Sequence, residues 1–486
     1  MKEERIRTII SSYFDREIGE DGMSGNRMTY KDILRDALRL SVPVMLEEAL
    51  GTAVQYVDSA MVGRLGAAAS ASVGMTSTVT WLVNSPIWAM GVAVMAVIAR
   101  SEGAGNHDKA KRAAGQALWL AVAIGLVIGT FTFLISPHLP RWMGADEALH
   151  EDASAYFRIV CLPMVFRAFL FLFGFVFRAM HEVRLPMRVN IGVNLLNVVL
   201  DRLMFFGPTQ VTVAGHGIAV PGFGWGVRGA AVATAVSYAA GGAVMLIALL
   251  THSSLGIRRE QVRPDRGIMR EFLRIGLPAS LTRIGTCLGH VVFASQVTRL
   301  GTTALAAHTL AITAEEAFYI PGYGMQTAVA TLCGNALGAG DEKRLKDTAV
   351  LMSAASALLM AVTGLILFLV PERMMAIFTK DSAVIALGAS VLRLVAVSEP
   401  IYGIGIILDG VFDGIGDTRT PLRCSVSTMW GVRILFTWIC VNYLGLGLFA
   451  VWICMVANNV CKTLSEAVIF MSGSWKKRTG MIVEEA

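Results

Sequence analysis

From about residue 40 to residue 470, long apolar runs alternate with short loops that are polar or basic. The runs lie near 40–63, 72–98, 113–136, 154–177, 187–206, 227–250, 275–298, 305–333, 347–370, 383–412, 424–443 and 446–470. A helix needs about 20 apolar residues to cross the hydrocarbon core of a bilayer. The pattern therefore predicts an all-α integral membrane protein with twelve transmembrane helices. Composition agrees: 55% of residues are apolar and 16% charged, where a soluble domain carries about a quarter charged. That balance excludes disorder, a secreted disulfide scaffold and an ordinary soluble enzyme. The net charge of +6 is spread between the apolar runs, not gathered on one face as a nucleic-acid footprint requires, so no nucleic-acid partner is expected. The seven cysteines are scattered through apolar stretches and read as small core fillers. The first twenty-odd residues are too charged for a secretory signal, so the first helix is expected to stay as an anchor.

Charge then orients the chain. Lys and Arg residues in alternate loops and the two tails number 29, against six in the opposite loops (Arg64, Arg141, Arg228, Arg299, Arg373 and Lys380). The positive-inside rule places both termini in the cytoplasm, as an even number of crossings requires.

A constant shift of 235 superposes one half of the chain on the other. Pro43 falls on Pro278, Arg64-Leu65-Gly66 on Arg299-Leu300-Gly301, Pro86 on Pro321, and Gly103-Ala104-Gly105 on Gly338-Ala339-Gly340. Later the shift falls to 221, so the first half carries 14 extra residues in an outer loop around 207–222. Six crossings per repeat make the halves parallel, with a site expected between them. The expected division is a cytoplasmic tail over 1–38, an N-lobe over 39–250 (helices 1–6) and a cytoplasmic linker over 251–274. A C-lobe over 275–472 (helices 7–12) and a second tail over 473–486 complete it.

Ionisable groups inside a membrane helix are costly and point to function. Asn190, Asn194, Asn197 and Asp201 in helix 5 stand at i, i+4, i+7 and i+11, which is one narrow stripe. Amides and a carboxylate offer ligands to a small hard cation and acceptors for a proton, whereas helix–helix glue would explain the amides alone. In helix 1, Glu47 and Asp58 share a face three turns apart, with Glu48 rotated by about 100°. Asp58 and Asp201 both fall near the outer end, so the two carboxylates can meet in one pocket. The second half has no copy: Asp58 maps to Phe293, Asn197 to Val432 and Asp201 to Phe436. Glu48 maps to Arg283, which suggests an ion pair across the pseudo-two-fold. Glu315, Glu316, Glu399 and Asp409 are further intramembrane acids. Arg167, Arg433, His290 and His308 read as structural partners.

Several motifs carry a family resemblance. PVMLEEALGTAVQYVDSAMVGRLG (43–66), PMRVNIGVNLLNVVLD (186–201), GVRGAAVAT (226–234), GNALGAGD (334–341) and DGIGDTRTP (413–421) resemble the MATE (multidrug and toxic compound extrusion) transporters, closest to the DinF-like branch. The resemblance runs from about residue 35 to 472. It implies a V-shaped fold of two pseudo-symmetric six-helix lobes in the plasma membrane. It implies a monomer that exports lipophilic, mostly cationic organic compounds in exchange for H+ or Na+, with no other cofactor. The cation-coupling residues it implies are Asp58, Tyr156, Asn197, Asp201 and Thr234, of which Asp58, Asn197, Asp201 and Thr234 would hold Na+. Glu47, Glu48, Asn190, Asn194, Arg283, Glu315, Glu316 and Asp409 are the candidates for the substrate cavity. Two positions depart from the family: Thr286 stands where a NorM-like helix 7 has Glu, and Gly51 where helix 1 usually has Gln.

The leading expectation is a cation-coupled multidrug efflux antiporter working by alternating access. The alternative is a lipid-linked oligosaccharide flippase of the same superfamily, which needs basic residues along the cavity to meet phosphates. The excess of intramembrane acids favours cations. An intramembrane enzyme is not expected, since no HExxH, GxSxG or paired Cys/His ligands fall at membrane depth.

Overall fold

The computed structural model describes residues 30–479 apart from 64–66, 144–146, 206, 214–215, 221 and 253–259. Most of the N-terminal tail, the end of the C-terminal tail, the first copy of the Arg-Leu-Gly repeat and the start of the linker lie outside the described residues. Among the described residues, twelve long helical rods follow one another. The first six are α1 (Tyr30–Gly63), α2 (Ala67–Gly103), α3 (His107–Ile135), α4 (Glu147–Cys161 continued by Met164–Ala179), α5 (Arg184–Phe205) and α6 (Gly226–Thr251). The second six are α7 (Arg266–Thr298), α8 (Thr302–Gly338), α9 (Glu342–Leu369), α10 (Ser382–Ile415), α11 (Arg419–Asn442) and α12 (Leu448–Met471).

Seven of these are long and apolar enough to cross a membrane by composition alone, and α4 joins them as a pair bent by 48°. The bend falls at Pro163, which caps the second half of α4; proline has no N–H to continue the ladder. The four rods that miss the threshold are α1, α5, α7 and α8. They are the ones interrupted by Glu47 and Asp58, by the Asn/Asp stripe, by Arg283, and by Glu315 and Glu316. The chain is an all-α membrane protein with a twelve-helix fold.

The repeat is visible in local structure. Gly105 and Gly340 both adopt left-handed backbone, with φ of 69° and 71°, a conformation that glycine alone enters without a steric penalty. The turn then delivers Asn106 and Asp341 as N-caps, accepting from the N–H groups of Lys109 at 3.0 Å and Arg344 at 2.8 Å. The lobes also exchange ends. Ala37 and Leu40 at the start of α1 pack into the core of α8, α9 and α10. Ile268 and Phe272 at the start of α7 pack into the core of α2, α3 and α4. Ala37 and Phe272 are repeat partners, so the exchange obeys the pseudo-two-fold.

The 14-residue insertion is not a plain loop. Its backbone forms an antiparallel hairpin of β1 (Thr209–Val213) and β2 (His216–Val220). The end of the linker is pinned to α3, where Gln116 donates to the Arg263 carbonyl at 2.7 Å and accepts from the Asp265 N–H at 2.9 Å.

Candidate functional site

Helices α1 and α5 lie side by side, and their polar residues meet at a constant spacing of 143. Asn190 Nδ2 donates to Glu47 Oε1 at 2.9 Å. Asn194 Nδ2 would lie 3.9 Å from a Cβ at Gly51. At the far end, the carboxyl groups of Asp58 and Asp201 lie close enough to act on one another directly. Parallel helices repeat the same face every third or fourth residue, so one register sets all three rungs.

The rungs differ in chemistry. Glu47 also accepts from Arg178 Nη2 at 2.6 Å, and both side chains are nearly buried. This places Glu47 in a structural ion pair with Asn190 as its second donor. Removing one partner of such a pair strands a buried charge, at a cost of about 3–5 kcal/mol. Glu47→Ala should therefore lower the thermal unfolding midpoint in detergent, and an unchanged midpoint would show that the pair contributes nothing.

The Asp58–Asp201 rung is unsaturated. One oxygen of each carboxyl group and the Asn197 amide nitrogen are buried without a hydrogen-bond partner. Asn197 and Asp201 are themselves buried. Tyr156 of α4 lies close to both carboxyl groups and packs on Phe205, Val227 and Ala230. Thr234 of α6 donates to the Ala230 carbonyl at 3.0 Å, leaving its oxygen lone pairs free. Two carboxyl groups brought together away from water repel one another when both are charged, so one shared proton is favoured. The pocket thus suits a shared proton, and its spare oxygens also suit a small cation.

The second lobe replaces this pocket by a fixed positive charge. The Arg433 guanidinium stacks 4.0 Å from the ring centroid of Phe293, the repeat partner of Asp58. Residues Met429–Ile434 form a π-helical turn within α11, whose i→i+5 bonding accommodates one residue more than an α turn. Past that turn the repeat runs at 236. Arg433, not Val432, then takes the place of Asn197, and Thr437, not Phe436, that of Asp201. Thr437 is fully buried with its hydroxyl unpartnered. Arg433 also lies beside Glu315, which accepts from Tyr319.

The other candidates are dispersed. Arg283 reaches across to the first lobe and lies 3.9 Å from the Trp88 ring centroid. No ion pair joins it to Glu48 among the described residues, so the expected cross-lobe pair gives way to a cation–π contact. Glu48 and Glu316 are exposed, and Glu316 stands beside Tyr56 of α1. Asp409 pairs with Lys462 of α12. Lys462, Glu466 and Asp413 are missing from the sequence-based set. The signal that could have found them is a Lys and a Glu four residues apart inside an apolar run, facing an Asp-x-x-x-Asp in helix 10.

The basic-loop ends of α2 and α8 are closed on one another. A Cβ at Gly103 would lie 2.0 Å from the Asn335 carbonyl oxygen, and one at Gly338 would lie 2.0 Å from that of Arg100. Gly103 and Gly338 are repeat partners, as are Arg100 and Asn335, so the crossing is self-complementary about the pseudo-two-fold.

A family model described as MatE matches residues 43–203 and 278–439, well over half of the chain. This chain belongs to the MatE family. The second matched stretch runs one residue longer than the first. Among relatives of this MatE protein is a probable multidrug resistance protein NorM from Thermotoga maritima, 26% identical over 450 residues covering 92% of this chain and 94% of the relative. Another is the multidrug resistance protein PmpM of Pseudomonas aeruginosa, 24% identical with 82% of each chain covered. A solved structure described as the outward-facing conformation of a multidrug resistance MATE family transporter of the MOP superfamily superposes with a TM-score of 0.82. It is 25% identical and covers 95% of this chain and 99% of its own. A Pyrococcus furiosus MOP superfamily transporter gives the same TM-score at 24% identity, which speaks to the fold alone.

Proposed function

We propose that this protein is a cation-coupled efflux antiporter that exports lipophilic, mostly cationic organic compounds by alternating access. H+ is the coupling ion, shared between Asp58 and Asp201. The observation that carries this reading is the approach of two buried carboxyl groups at membrane depth, an arrangement that favours holding one proton between them. Tyr156 stands beside both carboxyl groups, and Asn197, one turn from Asp201, has a buried amide nitrogen without a partner. Arg433 fills the corresponding place in the second lobe, so coupling runs through the first lobe alone. The multidrug resistance names of the relatives support efflux, and the acids of the second lobe support cationic substrates. With the basic loops and both termini on the cytoplasmic side, the Gly103–Gly338 crossing seals the cytoplasmic face, an arrangement that faces outward.

Ethidium uptake into inverted membrane vesicles tests the coupling ion. A pH gradient, acid inside, should drive uptake, and a Na+ gradient at equal pH should not. Uptake driven by Na+ alone would move the coupling ion from H+ to Na+.

A further inference from the structure

The second lobe holds a charge cluster that the coupling site does not use. Lys462 of α12 is paired with Asp409 of α10, and Glu466 Oε1, one turn along α12, is 3.9 Å from the same ammonium. Glu466 is fully buried, and neither of its oxygens has a hydrogen-bond partner. It lies within reach of the Lys462 ammonium without a hydrogen bond to it, so the ammonium can close on it when Asp409 is taken. Asp413, one turn below Asp409, adds a further acid. Arg283 of α7 and Tyr323 of α8 complete the surroundings.

The cluster opens to the space between the lobes. The side chains of Asp409 and Lys462 are 25% and 18% exposed. An ion pair does not face lipid, and the neighbouring Arg283 touches Trp88 of the other lobe. The floor lies directly below. Gly414, next to Asp413, packs against the Ala330 carbonyl of α8, and Gly334 on that helix packs against Ala99 of α2. Asp409 and Lys462 thus sit above the α2–α8 crossing, on the side of Gly414 away from it.

We propose that Asp409, Lys462 and Glu466 form a binding site for an organic monocation, with Lys462 as a built-in competitor. The ligand takes the Asp409 carboxylate, and the Lys462 ammonium moves one turn along α12 to Glu466. The site then holds one extra positive charge against acids already in place. A neutral or anionic compound cannot displace the ammonium, because it leaves Asp409 unpaired. This assignment rests on the efflux reading for its natural ligand, but its test needs no transport.

Binding of tetraphenylphosphonium to the full-length protein in nanodiscs is the experiment. Lys462→Gln removes the competitor and should tighten binding by about tenfold or more. Asp409→Asn should weaken it by a similar factor. Lys462→Arg keeps the ion pair and hence the fold, but its guanidinium grips a carboxylate with two hydrogen bonds, so it should weaken binding severalfold. Tetraphenylborate, the anion of the same shape, should gain nothing from Lys462→Gln. Unchanged or weaker phosphonium binding in a monodisperse Lys462→Gln protein would overturn the proposal. If that variant does not fold, wild-type affinity in Lys462→Arg would overturn it equally. Loss of gradient-driven export with these affinities intact would instead count against the coupling reading.

Discussion

Asp201→Asn should abolish gradient-driven export while leaving expression and substrate binding nearly intact. The amide matches the carboxyl group in size and can still hydrogen-bond to Asp58, but it cannot release a proton. Without that release, the lobe arrangement no longer depends on which side supplies protons. Coupling requires just that dependence, because a ligand biases two states only through its different affinity for each. One proton exchanged for one organic monocation moves no net charge, so the pH gradient alone drives accumulation, about tenfold per pH unit. Under a gradient of one pH unit the accumulation ratio in inverted vesicles should therefore collapse from about ten to about one. Glu372→Gln, which removes only a surface ion pair with Arg393, is the control and should accumulate substrate like the wild type. Wild-type accumulation in Asp201→Asn would remove Asp201 from the coupling machinery.

The second large effect is expected at the crossing of α2 and α8. Adding a single methyl group at Gly103 or Gly338 places a carbon 2.0 Å from a backbone oxygen. Backbone cannot swing aside as a side chain does, so the helices must part. Overpacking of this kind costs about 1–3 kcal/mol, which shifts a two-state balance about 5- to 150-fold. Gly103→Ala and Gly338→Ala should each destabilise the arrangement seen here and slow export. Ser101 is buried at the same crossing and serves as the reporter through Ser101→Cys in a background free of native cysteines. A membrane-impermeant maleimide applied from the cytoplasmic side should label it slowly in the parent and rapidly in the alanine variants. Equal labelling would mean that this contact does not set the closed state.

How far the sequence reaches depends on whether a feature is local and periodic. The prolines, glycines and caps that recur in the two halves reappear as matching turns at Gly105 and Gly340, because each requires only its own few residues. The helix-5 stripe is legible for the same reason, and a parallel neighbour with a matching stripe brings Asp58 to Asp201. Other features depend on packing that no single segment encodes. The π-helical turn at Met429–Ile434 adds one residue in α11 and replaces Val432 by Arg433 at the pseudo-symmetric site, so a gapless shift misplaces it. The exchange of the α1 and α7 ends is a long-range contact between repeats. The partner of Glu47, Arg178, lies far along the chain in α4 and is not legible from helix 1 alone. Arg283 reads as a partner for Glu48, but Trp88 lies closer. The hairpin in the outer insertion escapes notice because its short strands lie within an apparent loop.

Proton release on substrate binding tests the central claim most directly. Purified protein in weakly buffered detergent, at a pH near neutrality, is titrated with a saturating organic cation while the pH of the solution is followed. If Asp58 and Asp201 share a proton that the substrate-bound state gives up, the wild type should release about one proton per bound substrate, and both Asp58→Asn and Asp201→Asn should release none. Equal proton release from the wild type and the two variants would contradict the account, because the exchanged proton would then come from elsewhere in the protein.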